Sequence, residues 1–269
     1  MTPQSVSLPP GETLLRRTGF IWFIAAAAGQ GAFVLYILAF YGRRTVSGNF
    51  AGWNDKPVIK GYVAGDAAGN VMFALHVLLA TIVTVGGLLQ LVPAIRRRAP
   101  ALHRWNGRLF FSIACFMAFG GLWLTWVRHT YLSVISGIAT SLDALLILLF
   151  VMIAWRRAIV RDFATHRRWA MRAFIAASGV WFLRVGIMGW ILLTGGIGMN
   201  KHMSGPADIV LQFGSYLIPL ALLEMHFRAQ SSHEIVTKRL AGGLILLATG
   251  FMTVGIAGAV LFMWWPHIK

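Results

Sequence analysis

The chain has 269 residues, 58% of them apolar and only 12% charged, with a mean hydropathy of +0.71. That balance describes an integral membrane protein and leaves little length for an added soluble domain. Lys and Arg number 24 against 8 Asp and Glu, but they fall in short segments between apolar runs. They therefore read as topology signals that meet anionic lipid headgroups, and they argue against a nucleic-acid partner.

Residues 1–18 are polar and end in Arg16 and Arg17. A first span is predicted over 20–41, long enough for a hydrocarbon core about 30 Å thick. It reads as an uncleaved anchor, because hydrophobicity continues well past the small residues at 25–28. Residues 42–70 form the longest polar segment, whose glycines and asparagines deny it a steady helical period. It is read as an outer loop, with a short interfacial helix near Pro57.

Further spans are predicted over 71–93, 109–127, 135–155, 170–194, 209–227 and 241–265. The fold class is thus all-α, a single transmembrane domain of seven helices, with a four-helix core from the second to the fifth span. Sixteen basic residues fall on the side of the N-terminus and seven on the other, with Arg184 alone in mid-span. This bias predicts a cytoplasmic N-terminus and an outside C-terminus in a bacterial inner membrane.

Two basic segments, RRRAPALHRWNGR (96–108) and RRAIVRDFATHRRWAMR (156–172), share the order paired arginines, His-Arg, Trp, Arg, each followed two residues later by a phenylalanine, Phe110 and Phe174. Each sits between two spans, and the two span–segment–span units have the same in-out sense, as parallel repeats would. His103 and His166 then occupy corresponding positions just before their spans. Two imidazoles at one level among arginines such as Arg108 and Arg172 suit a haem with its anionic propionates, a quinone headgroup or a lipid phosphate.

Ionisable groups inside spans cost roughly 2.5–3.5 kcal/mol each at a helix centre, so each needs a partner or a purpose. Asp143 and Arg184 each lie twelve residues from the basic boundary of their spans, at a depth of roughly 18 Å. They are expected to form a buried ion pair, structural or proton-carrying. His76 falls in the outer third of the second span, as a haem or metal ligand, a proton carrier or a neutral hydrogen-bonded side chain. His129, at the end of the third, shares an axial site with it only if helix tilt closes the gap. Glu224 and His226 lie near the basic boundary of the sixth span, Glu224 as a further proton carrier.

Several classes are excluded. A retinal protein needs a lysine in its last helix, and 241–265 has none. No phosphate-cradling, zincin or nucleophile-elbow motif occurs. Cys115 stands alone in an apolar run, which rules out an intrachain disulfide.

His76 with Gly86-Gly87, Gln90 and Pro93, then His103-Arg104 with Gly107-Arg108, His166-Arg167-Arg168-Trp169 with Arg172, Arg184 and Glu224, follow one another in an order that resembles a family of multi-pass bacterial membrane proteins of unknown function. The likeness covers about 71–228. Ala170 stands where that family has methionine, which here is Met171, and His226 after Glu224 is less typical of it. The resemblance implies a shared site built from the second, third, fifth and sixth spans. A more distant likeness to two-haem transmembrane cytochromes implies histidines near both membrane faces.

The leading expectation is therefore a haem b protein that moves electrons in the bilayer and exchanges them with a quinone or another redox partner. His76 and His129 would bind an outer haem, His103 and His166 an inner one, with Arg108, Arg172 and Arg184 holding propionates. The alternatives are a transporter or accessory subunit that binds lipid or a partner protein, and a lipid-modifying enzyme using His103, His166 and Glu224.

Overall fold

The computed structural model describes residues 10–55 and 59–268. Among these there are eight α-helices of fifteen or more residues and no strand. They are α1 (Pro10–Ile37), α2 (Ala67–Leu91), α3 (Pro100–Trp126), α4 (Val134–Ile159), α5 (Phe163–Ala177), α6 (Gly179–Thr194), α7 (Pro206–Ser231) and α8 (Ile235–Gly258). Six helical stretches are long and apolar enough to cross a membrane, and α5 with α6, bent by 53°, supplies a seventh. Large apolar side chains point outward along the spans, with Phe20 64%, Phe119 63% and Leu247 72% exposed. Such a surface is matched to hydrocarbon rather than to water.

Several elements run past their predicted ends. The helix of α1 continues through a π turn, Leu38–Gly42, to Val46. The basic segment 96–108 is not a loop: Pro93–Arg98 is a short helix and α3 starts at Pro100. Proline at the first helical position explains both starts, since its missing N–H has no partner there in any helix. The segment around Pro57 falls at residues 56–58, outside those described, while Ala51–Asn54 forms a 3-10 turn.

Caps fix the other ends. Asp66 accepts from Gly69 N–H at α2, Ser133 and Ser136 bond reciprocally at α4, and Asp162 accepts from Thr165 N–H at α5. α6 closes on Gly195 in the left-handed region, φ +69°, which glycine adopts without strain.

The break between α5 and α6 has a local cause. Ser178 Oγ donates to the Phe174 carbonyl at 2.9 Å and accepts from Gln30 Nε2 of α1 at 3.1 Å. Gly179, next in the chain, lies so close to α4 that a Cβ there would sit 2.5 Å from Asp143 Oδ2. A Ser-Gly pair with a competing side-chain hydrogen bond is a common origin of such kinks.

The helices from α2 to α5 pack in sequence, and α7 lies against α4, α5, α6 and α8. The main core draws Val83 from α2, Phe110 and Phe111 from α3, Phe150 from α4, Phe174 from α5 and Leu223 from α7. The four expected core helices are thus joined by α7. α8 closes the other flank against α1 and α6.

The outer loop is tied to the end of α3 by Arg128. Arg128, just beyond α3, donates from Nε to Asp66 Oδ2 (2.8 Å) and from Nη2 to Gly61 O (3.1 Å) and Asn70 Oδ1 (2.8 Å). Beneath that clamp Trp53 is buried against Phe73 and Leu124. The Gly69 N–H and the Arg128 guanidinium hold the Asp66 carboxyl below its ordinary range.

Candidate functional site

The basic end of the bundle encloses a cavity of about 980 Å³. Its position follows from two matched helix starts. His103 is the fourth residue of α3 and His166 the fourth of α5. Counting from them, Gly107, Phe110 and Phe111 on α3, and Ala170 and Phe174 on α5, return to the same faces at helical spacing. All of these residues line the cavity, with Gln90 of α2 and His226 of α7.

Small residues bring the walls together. Asn106 Nδ2 donates to Gly86 O and Gln90 Nε2 to His103 O, both at 2.8 Å, stitching α2 to α3. A Cβ on Gly87 would meet the Phe174 ring at 2.6 Å and Phe110 at 3.1 Å, so this glycine permits the close approach of α2 and α5.

The two imidazoles differ in what holds them. His166 Nδ1 lies 2.9 Å from Ala154 O and its ring meets Phe111 edge-on. That bond places the Nδ1 proton and leaves Nε2 with its lone pair. His103 Nδ1 is buried without a hydrogen-bond partner. Gln230 Nε2 faces His226 Nε2 at 2.9 Å, and His226 Nδ1 too is buried without a partner.

Five arginines, Arg96, Arg104, Arg108, Arg161 and Arg167, complete the lining, and no carboxylate is among the lining residues. Arg108 also stacks on Trp105, 4.8 Å from the ring centre. The site therefore combines apolar walls, three imidazoles and a cationic rim. Gln90 is legible in the sequence only as a motif residue and Arg96 and Arg161 only as topology signals, because they lie outside α3 and α5; Arg104 and Arg167 directly follow the two histidines.

Other expected site residues lie elsewhere. Arg172, six positions past His166, is turned about 120° around α5 from it. It faces α7, where its guanidinium forks onto Glu224 at 2.6 and 2.9 Å and stacks on Trp169. Neither member of that pair lines the cavity.

The expected ion pair between Asp143 and Arg184 is not formed. Gly179 is the residue that touches Asp143, and Arg184 lies five residues past it, so it is displaced about 7.5 Å along α6 and about 140° around it. It donates to Val180 O at 3.0 Å and lies over the Phe33 ring of α1.

Nor are His76 and His129 brought together. His76 packs at Gly120 and Gly121 of α3, its Nδ1 buried without a partner. His129 lies past the end of α3, exposed, at φ +55° and edge-on to Tyr131. The Arg128 clamp on Asp66 fixes this turn.

A family described as "predicted membrane protein (DUF2306)", a domain of unknown function, matches residues 73–227. The chain belongs to that family. The match spans more than half the chain and takes in α3, α4, α5 and α6 and most of α2 and α7, hence all three histidines of the cavity. No curated protein and no solved structure matches the chain.

Proposed function

We propose that the cavity binds haem b through His103 and His166 and that the protein moves electrons within the membrane, with a quinone as exchange partner. The observation that carries this reading is the pair of imidazoles presented from equivalent positions of two helices into one apolar cavity. The residues fit the group. His166 has Nε2 available because Nδ1 is bound to Ala154 O, the second-shell arrangement typical of a ligating histidine, and His103 has a buried nitrogen lacking a partner. A cavity of about 980 Å³ has room for a porphyrin. Phe110, Phe111 and Phe174 exclude water from it, and the arginines at the rim suit two propionates.

When bound, haem would supply a one-electron redox centre. The proposal is confined to one haem, because His76 has no second imidazole facing it. The basic-residue bias supports placing this site at the cytoplasmic face of a bacterial inner membrane.

The test is a reduced-minus-oxidised visible spectrum of protein purified in detergent from haem-sufficient cells. A b-type spectrum is expected, lost in His103→Ala and His166→Ala and retained in His76→Ala. A folded but colourless protein overturns the proposal.

A second reading rests on the five lining arginines with no lining carboxylate: an accessory or transport protein that holds an anionic lipid, its phosphate at the rim and its chains in the cavity. Native mass spectrometry separates the two, giving a phospholipid adduct in place of haem.

A further inference from the structure

A second cavity, about 50 Å³, lies between α4, α6 and α7, towards the end of the bundle opposite the histidines. Its lining includes Ser136 and Asp143 of α4, Gly179 of α6, and Gln212, Ser215 and Tyr216 of α7. Ser136 and Asp143 are seven residues apart and Gln212 and Tyr216 four, so each set forms one polar stripe along its helix. The stripes begin near the turn at Met203, where Ser133 Oγ and Gln212 Nε2 both donate to its carbonyl. They end at Asp143, ten residues or about 15 Å into α4 from its cap.

Three side chains there are more than nine-tenths buried and have a polar atom without a partner: Asp143 at Oδ1, Gln212 at Oε1 and Tyr216 at its hydroxyl. The Gln212 amide is oriented by Met203, so its oxygen is turned away from that carbonyl. Asp143 has no cation within ion-pair distance among the described residues. Arg184 of α6 faces Phe33, Glu224 of α7 is taken by Arg172 of α5, and Asp208 of α7 accepts from Asn200 and Gly205 N–H. Tyr216 is the titratable group that faces it.

We propose that Asp143 is an exchangeable proton site, loaded along the polar stripe from the membrane face opposite the arginine-rich cavity. A carboxylate at this depth without a counter-charge is costly, whereas the acid form is neutral and has a proton to donate into the cavity. The cavity takes a water molecule, which needs roughly 30 Å³, to carry the proton between the stripe and the carboxyl. The ion-pair failure and the helix break serve the same end, since Gly179 leaves room for the carboxyl at the start of α6. The site does not depend on what fills the larger cavity.

The experiment is labelling of the wild-type protein in nanodiscs with dicyclohexylcarbodiimide, which adds to protonated carboxyls, followed by peptide mapping. Label is expected on the Asp143 peptide and not on the Glu224 peptide, falling about tenfold per pH unit once the acid form becomes the minority species. A carboxylic-acid infrared band that disappears over the same pH range, and is missing in Asp143→Asn, is the second readout. Absence of both label and band overturns the proposal. Label suppressed by sodium chloride but not by choline chloride at fixed pH overturns it as well, making the site one for a sodium ion.

Discussion

Arg172 and Glu224 hold α5 to α7 with a two-pronged ion pair, further fixed by stacking on Trp169 and Phe227. Arg172 is the more buried partner, so removing the carboxylate strands guanidinium donors in an apolar setting. Glu224→Gln is expected to destabilise by about 1–3 kcal/mol, read as a lower thermal midpoint, with Arg172→Gln added to it costing little more. Full additivity of the two changes would refute the coupling. Arg128 and Asp66 behave differently because pH reaches them. The depressed Asp66 carboxyl contributes fully above its ordinary range, and the contribution is lost as pH falls through its lower folded-state value. Hydrogen exchange at Trp53, Gly61 and Tyr62 is expected to rise on acidification, and Arg128→Ala to show that rise already at neutral pH. Protection unchanged in both cases would mean that burial of Trp53, not the clamp, orders the loop.

At the scale of elements, close approach is set by glycine. A Cβ on Gly255 of α8 would lie 2.1 Å from the Val185 carbonyl oxygen of α6, an obstacle that cannot rotate away, whereas nothing lies within 4 Å of one on Gly250. Gly255→Ala is therefore expected to cost about 1–3 kcal/mol through forced separation of α6 and α8, and Gly250→Ala to be neutral or better. Equal thermal midpoints for the two variants would contradict this contact. Span number and composition were legible because lipid demands long apolar helices whatever their neighbours are. The extent of α3 was not, because Arg96 to Arg108 read as charge, while Pro93 and Pro100 let the same residues start helices. Asp143 and Arg184 show the other limit: residue counting assumes one straight helix, but the break at Ser178 and Gly179 shifts Arg184 both along and around α6 from the level of Asp143. His103 and His166 were correctly matched because both follow a helix start by the same count. Their meeting in one cavity depended on α7, which the repeat does not include.

Across the whole molecule the two ends carry different chemistry. The histidine cavity and most arginines lie at one end, and the Arg128 clamp and the entrance of the Asp143 stripe at the other. The electron and proton readings above therefore have directions that depend on orientation, which the bias of sixteen basic residues against seven argues to be arginine end inward. His202 and His233 flank α7, both exposed and on opposite ends of it, and neither lines either of the two cavities described above. In a Cys115→Ala background, His202→Cys is expected to react with a membrane-impermeant maleimide on intact cells, and His233→Cys only after permeabilisation. The reverse pattern would turn the histidine cavity outward and let Asp143 draw protons from the cytoplasm, so one labelling pair decides the direction of both.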